Sequence, residues 1–101
     1  MSVIAKRLKE ARKAEGISQE RLGVLAGIDE MSASARMNQY EREKHIPDVS
    51  VVERIAKALN LPVSYFYEQD DEIASLLVSI YGMNQTRRKK IAAFIEQIKA
   101  T

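Results

Sequence analysis

The sequence contains no cysteine, one histidine, two prolines and four glycines among its 101 residues. Without cysteine the protein has no disulfide, and metal sites built on cysteine are excluded. His45 alone cannot form the usual zinc sites, and it makes histidine-dependent acid–base chemistry improbable. No pairing of a nucleophile with a base is visible either. We therefore expect neither an enzyme nor a metal site, and no cofactor is required.

Long apolar runs are missing as well. The opening stretch MSVIAKRLKEARK has charge in every turn, unlike a secretory leader. The most apolar stretch, residues 73–83, is interrupted by two serines and a glycine, and it is far shorter than the roughly 20 residues of a membrane span. We expect a soluble, cytoplasmic protein that folds as one compact unit and has no membrane partner.

Charge is distributed unevenly around a net value of +2, which by itself is too small to indicate a nucleic-acid-binding protein. Residues 1–67 have eleven Lys and Arg against nine Asp and Glu. Residues 68–86 have four acidic residues and no basic one, whereas residues 87–101 have five basic residues and one acidic. An acidic segment therefore separates two basic portions of the chain.

Apolar residues recur with helical spacing along the whole chain, and there is no hairpin signal of the Asn-Gly or Asp-Gly type. This pattern predicts an all-α protein. We predict helices at Val3 to Glu15, Ser18 to Gly27, within Asp29 to Glu43, from Asp48 or Ser50 to Asn60, briefly from Pro62 to Phe66, and around residues 73–80 and 91–98. The expected core includes Leu8, Leu22, Leu25, Ile55 and the aromatic run Tyr65, Phe66 and Tyr67.

The third helix has two chemically different sides. On a helical wheel of about 100° per residue, Ala33, Met37 and Tyr40 cluster on the side expected to face the core. The opposite side has small, amide and basic residues, which suit the edges of DNA bases and the phosphates. An ordinary solvated helix surface would have the same composition, so the wheel alone leaves both interpretations open.

Three segments together resemble the DNA-binding domain of the XRE family, which includes the phage Cro and repressor proteins. They are L-K-E-A-R-K-A-E-G-I-S-Q-E-R-L-G-V-L-A-G-I, then Q-Y-E-R-E-K-H-I-P, then V-V-E-R-I-A-K-A-L-N-L-P-V-S-Y-F. The resemblance covers about residues 5–67 and implies a five-helix, lambda-repressor-like helix-turn-helix domain over residues 1–67. Residues 68–101 then form a C-terminal helical hairpin appended to that domain.

The resemblance also implies roles for individual residues. Arg12 and Glu41 correspond to an internal ion pair that ties the first helix to the end of the third. Gln19 corresponds to a residue that binds a DNA phosphate, and Arg42 and Lys44 are further candidates for phosphate contacts. Counting back from Glu41, the positions that read bases in the family correspond to Ser34, Ala35, Arg36, Asn38 and Gln39.

Three departures from the family pattern bear on these assignments. Extra residues in I-D-E-M-S-A-S-A, between Gly27 and Glu41, lengthen either the turn or the recognition helix. Glu43 stands where glycine is common, so we expect the third helix to run further before it bends toward Pro47. Gly23 replaces the usual alanine, which permits closer packing of the second helix on the third.

The C-terminal segment carries the prediction of self-association. Four successive cations, Arg87 to Lys90, lie at the predicted start of the last helix and need compensation there. The acidic run Glu68 to Glu72 is the expected partner, and a contact with DNA is the alternative. The apolar stripe of the last helix has more surface than its neighbour covers, so we expect a homodimer through Ile91, Phe94, Ile95 and Ile98.

Taken together, these features predict a sequence-specific regulator of transcription that binds double-stranded DNA. We expect a repressor that binds a pseudo-palindromic operator as a homodimer, bacterial or phage-encoded and associated with the nucleoid. Two alternatives remain open: an antitoxin whose C-terminal hairpin binds a toxin, and a protein-interaction module that has kept the fold without binding DNA.

Overall fold

The computed structural model describes residues 2–101, and within that range the chain forms six α-helices, one 3-10 helix and no strand. The helices are α1 (Val3–Glu15), α2 (Gln19–Leu25), α3 (Glu30–Glu41), α4 (Val49–Leu59), a 3-10 helix (Val63–Tyr67), α5 (Asp71–Tyr81) and α6 (Gln85–Lys99). The all-α fold class predicted from the sequence is thus confirmed. The short fifth helix of the prediction is present as the 3-10 helix.

Each α-helix begins after a polar residue whose side chain accepts a hydrogen bond from the first turn. For α3 this residue is Asp29, whose carboxylate lies 3.1 Å from the Met31 backbone nitrogen. The turn between α2 and α3 is therefore short, and α3 is 12 residues long. The extra residues of this chain lengthen the recognition helix and not the turn.

A residue with positive φ follows each of the first four helices within two positions of its end: Gly16, Gly27, Glu43 and Asn60. At the end of α3 the Lys44 N–H donates to the Gln39 carbonyl at 2.8 Å and the Glu43 N–H donates to the Tyr40 carbonyl at 3.3 Å, which is the Schellman pattern. Glu43, at φ 63°, adopts the left-handed conformation that glycine favours. The expectation that α3 continues through Glu43 toward Pro47 is therefore wrong, because α3 stops at Glu41 and Glu43 itself forms the turn.

The core lies between α1, α2, α3, α4 and the 3-10 helix. Its largest fully buried side chains are Phe66, Leu8, Leu22, Met37, Ile55 and Val52. The prediction of a core position is wrong for two residues. Leu25 is 46% exposed, because it lies on the outer side of the last turn of α2, and Tyr67 is 40% exposed at the end of the 3-10 helix. Tyr65 and Phe66 are buried as expected and pack edge to face, with ring centroids 5.1 Å apart.

The two C-terminal helices are present, but they do not pack side by side as a closed hairpin. Of residues 71–81 only Ala74 is buried, and of residues 85–99 none is; the structure describes both stretches in full. The molecule measures 54 × 27 × 23 Å, and its radius of gyration of 15.5 Å exceeds the roughly 13 Å of a compact chain of this length. The elongation follows from α6, which extends away from the core and leaves its apolar stripe uncovered.

Candidate nucleic-acid interface

The α2–α3 pair is packed unusually closely at Gly23. A Cβ atom placed on this buried glycine would lie 2.8 Å from the Cβ of Ala33 and 3.1 Å from its backbone atoms. Any larger residue here would push the two helices apart. Gly23 therefore fixes how near α3 lies to α2, and the small Ala33 completes that contact.

The inner side of α3 is buried and its outer side is open. Ala33 and Met37 are fully buried and Tyr40 nearly so, which is the orientation that the helical wheel predicted. Most of the predicted contact residues on the other side are exposed: Ser34, Ala35, Arg36, Gln39 and Arg42. The only acidic residue between positions 31 and 42 is Glu41. It is 5% exposed, so the open side presents no carboxylate from that stretch.

Asn38 differs from its exposed neighbours because it is half-buried and already engaged. The Gln19 side-chain amide donates to the Asn38 Oδ1 at 3.3 Å and to the Glu41 Oε1 at 3.2 Å. Gln19 is the first residue of α2, so this amide joins the start of α2 to the C-terminal half of α3. The structure thus brings together a predicted phosphate contact and a predicted base contact in one hydrogen-bonded group.

Arg12 and Glu41 form a close ion pair. The Arg12 Nε donates to the Glu41 Oε2 at 2.6 Å and the Nη2 donates to Oε1 at 3.0 Å, while the Nη1 donates to the Ile17 carbonyl at 2.9 Å. The hydrogen bond to Glu41 raises the pKa of the Arg12 guanidinium above its ordinary value, although burial opposes that change. Three donors therefore converge on Glu41, which anchors the end of α3 to α1 and to α2.

Basic side chains surround the open side of α3. The Arg36 guanidinium lies against α3 itself, with its Nη2 3.0 Å from the Tyr40 hydroxyl. Arg42 and Lys44 are exposed just past the end of the helix, and the exposed His45 follows them. The Schellman turn at Glu43 sets the direction in which Lys44 leaves α3. Arg36, Arg42 and Lys44 are three cations at this edge that can contact phosphate, while the exposed Glu43 between the last two reduces the local positive field.

The predicted pairing of the acidic run with the basic start of α6 is not found within this chain. Asp71 instead pairs with α1, at 2.9 Å from both the Lys6 Nζ and the Arg7 Nη1. Arg88 donates to two carbonyls at the end of α5, those of Ile80 at 3.1 Å and Tyr81 at 2.8 Å. The C-terminal end of α5 has partial negative charge because its last carbonyls lack partners in the helix. It thus offsets the positive charge of Arg88 at the start of α6.

Arg7 is the site residue that sequence reasoning missed. Its side chain is buried and makes hydrogen bonds to the Glu68 carbonyl and to Asp71. A signal was available in the spacing: Arg7 falls at i+3 of the apolar stripe Ile4, Leu8 and Ala11. A cation on the inner stripe of a helix requires hydrogen-bond acceptors, and the acidic segment after residue 67 is a source of them.

Within residues 2–101 no helix is long and apolar enough to cross a membrane. The same residues contain no cluster of three side chains that could hold a metal ion.

Comparison with known proteins agrees with this geometry. The sequence pattern of the helix-turn-helix family matches residues 8–66. Among solved structures, the crystal structure of the transcriptional regulator BswR is similar, with a TM-score of 0.87 and 45% sequence identity over 96% of this chain and 94% of that chain. Curated protein sequences give no significant match. The chain therefore belongs to the XRE family of helix-turn-helix proteins and is a DNA-binding regulator of transcription.

Proposed function

We propose that this regulator is a repressor that binds a pseudo-palindromic operator in double-stranded DNA as a homodimer. The observation that supports DNA reading most directly is the difference between the two sides of α3. Its inner residues Met37 and Tyr40 are buried, and between residues 31 and 42 its outer side presents small, amide and basic groups. Glu41, the one acid of that stretch, is paired with Arg12, and the exposed Glu30 and Glu43 lie at the two ends of the helix. Such a helix can enter the major groove with its outer side against the base edges.

We assign base contacts to Ser34, Ala35, Arg36, Asn38 and Gln39. Gln39 is the strongest candidate, because its exposed amide can donate and accept toward adenine at once. Arg36 reaches guanine or a phosphate only after leaving the Tyr40 hydroxyl. Asn38 reads a base either by releasing Gln19 or together with it, since their side chains are already hydrogen-bonded.

We assign phosphate contacts to Gln19, Arg42 and Lys44. Gln19 lies at the start of α2, where free backbone N–H groups also favour an anion. Its hydrogen bonds to Asn38 and Glu41 hold the amide beside the recognition helix, so one residue can touch the backbone and orient a base-reading neighbour. Arg42 and Lys44 are exposed on the turn that follows α3.

The homodimer is supported by the apolar surface that the C-terminal helices leave open. Ile73, Leu76 and Tyr81 of α5 are each more than two-fifths exposed, as are Phe94, Ile95 and Ile98 of α6. Together with the half-buried Ile91, the α6 residues follow the i, i+3, i+4, i+7 spacing of one helix face. Exposed apolar stripes of this size mark interaction sites. A second copy offers the matching stripe, with α6 of each chain covering α5 of the other.

A dimer explains how a small domain would recognise an operator. Two recognition helices about 34 Å apart would contact successive major grooves on one side of the duplex. The paired domains would cover the DNA between and around the half-sites. Repression would then follow by excluding other proteins from the same stretch.

The experiment that tests DNA reading compares Gln39→Ala with Gln19→Ala on a sequence selected from a random duplex pool and on unrelated DNA. We expect Gln39→Ala to lose about 1–3 kcal/mol of discrimination between the two, whereas Gln19→Ala should weaken binding to both and lose less discrimination, because it acts on a base only through Asn38. Gln69→Ala, which removes an exposed amide outside α3, serves as the control and should change neither. Equal losses on both duplexes for Gln39→Ala would contradict its assignment to a base.

Salt dependence and oligomeric state test the remaining parts. A protein with six to ten phosphate contacts should lose on the order of a thousandfold or more in affinity between 50 and 200 mM salt. A flat response would favour a protein-interaction module. Light scattering after size exclusion should show a dimer that Phe94→Glu converts to a monomer. A monomeric wild-type protein would contradict the homodimer, and a stable complex of α5 and α6 with a toxin would favour the antitoxin.

A further inference from the structure

Arg7 is an unusually buried cation for a chain of this size, with 2% of its surface exposed. Its Nε and Nη2 donate to the Glu68 carbonyl at 3.0 and 2.8 Å. Its Nη1 lies 2.9 Å from the Asp71 Oδ1 and 3.4 Å from the Glu10 Oε2, and the guanidinium lies 5.6 Å from the centre of the Tyr65 ring. One side chain of α1 thus contacts both the segment before α5 and the first residue of α5.

Apart from Arg7, α5 is attached to the helix-turn-helix unit by the exposed ion pair of Asp71 with Lys6 and by a small apolar contact. Ala74 is the one residue of the fully described stretch 71–81 that is buried. The Ala74 methyl group fixes one point of contact, and the flexible, exposed Lys6 side chain restricts the direction of the helix less than a buried guanidinium does. The Arg7 guanidinium is planar and donates to two acceptors three residues apart in the chain, so it restricts that direction as well.

The direction of α5 matters because α5 leads into α6. The chain is 54 Å long, and α6 extends away from the core. A change of about 10° at the joint would move a point about 27 Å away by about 5 Å, which exceeds the roughly 3.4 Å between successive base pairs. Small changes at Arg7 would therefore alter the separation of two recognition helices in a dimer by more than one base pair.

We propose that Arg7 is a positioning residue that sets the distance between the two recognition helices of the dimer, and hence the spacing of the operator half-sites. The inference rests on the homodimer proposed above. Arg7 contacts no DNA in this scheme. It acts through the carbonyl of Glu68 and the carboxylate of Asp71, which hold α5 at one angle to the domain that reads DNA.

The experiment measures affinity for a selected operator and for versions with one, two or three base pairs added or removed at its centre. The proteins are wild type, Arg7→Met, Asp71→Asn and the control Lys9→Met, which removes an exposed cation from the same helix. Light scattering establishes that each is dimeric, and circular dichroism establishes that each is folded. Asp71→Asn keeps both hydrogen bonds of Arg7 to the Glu68 carbonyl, so it provides a milder second variant if Arg7→Met is unstable.

We expect wild type and Lys9→Met to lose at least about tenfold in affinity for a change of one base pair, and Arg7→Met to lose less than about threefold. Asp71→Asn should give an intermediate profile. Uniformly weaker binding by Arg7→Met with the wild-type spacing profile would overturn the proposal, because a purely structural role predicts that result. A monomeric wild-type protein would overturn both the dimer and the role of Arg7, whereas unchanged spacing in a dimer would overturn only the latter.

Discussion

Replacing Arg12 by methionine should be among the most destabilising single substitutions in this chain. Methionine matches the aliphatic stem of arginine, so the main change is the loss of the guanidinium and of its hydrogen bonds. Glu41 has 3% of its side chain exposed and would keep only the Gln19 amide at 3.2 Å as a donor from another side chain. Removing one partner of a buried ion pair typically costs about 3–5 kcal/mol, because the remaining charge is uncompensated.

That loss is large relative to the total free energy of unfolding of a domain, about 5–15 kcal/mol. It corresponds to a fall of about 15–30 °C in Tm for a domain of this size. The measurement is chemical denaturation at one fixed protein concentration, since a dimer would make stability concentration-dependent. Lys13→Met, which removes the neighbouring exposed cation, is the control and should change stability by less than about 0.5 kcal/mol.

The double variant Arg12→Met with Glu41→Met separates the ion pair from general packing. Once both charges are gone, no carboxylate is left buried without its partner, so we expect the double variant to be more stable than Arg12→Met alone. The interaction free energy from the cycle should be about 1–3 kcal/mol. Strictly additive losses, or a cost below about 1 kcal/mol for Arg12→Met, would refute the reasoning, because either result would mean that Glu41 is adequately solvated without Arg12.

Three further predictions follow from the backbone and from Asp71. Gly23→Ala gains about 1 kcal/mol of helix propensity, but the new Cβ would lie 2.8 Å from that of Ala33, and this overlap should cost about 1–3 kcal/mol. Thermal melts should therefore show a net loss of stability. The control Gly82→Ala, whose new Cβ has no neighbour closer than 3.7 Å, should not show that loss. Glu43→Gly should raise the free energy of unfolding by about 0.5–1 kcal/mol, measured by chemical denaturation, since φ 63° suits glycine. A loss would mean that the Glu43 carboxylate's hydrogen bond from the Ser2 backbone N–H outweighs that strain. Hydrogen bonds from Lys6 and Arg7 lower the pKa of Asp71, so Asp71→Asn should be less stable than wild type at pH 7. The difference in stability should vanish as the pH falls through that lowered pKa, because the carboxylate of the wild-type protein is then protonated. A difference that does not depend on pH would contradict the ion pairs.

Most of the helical framework could be predicted because its signals are local. A serine or aspartate before an apolar stripe and a glycine or asparagine after it define both ends of α1, α2 and α4. Leu25 was misassigned because periodicity in a seven-residue helix specifies a face only coarsely. The end of α3 was misjudged for a different reason: Glu43 has no intrinsic preference for positive φ, and the hydrogen bonds of Lys44 and Glu43 back to α3 impose that conformation.

The sequence predicts the candidate site where the arrangement depends on a single helix. It does not predict contacts between segments that are far apart in the chain. The helical wheel of α3 separates its buried from its exposed residues correctly, since that division depends only on the angle of each residue around the helix axis. It could not show that Asn38 is held by Gln19, because that contact joins residues 19 positions apart through the packing of α2 on α3. For Arg7 the spacing indicates a place on the inner stripe of α1, but it could not identify which groups it binds, because these partners lie 61 and 64 positions away.

The two buried arginine contacts make α1 the element on which both ends of the molecule depend. Arg12 holds the end of α3 through Glu41, and Arg7 holds the start of α5 through the Glu68 carbonyl and Asp71. They are five residues apart, which is about 7.5 Å along the helix and roughly 140° around it, so each faces a different neighbour. Because the guanidinium plane is rigid, each contact fixes an angle as well as a distance. Because α1 holds both contacts, it connects the end of the recognition helix to the start of α5.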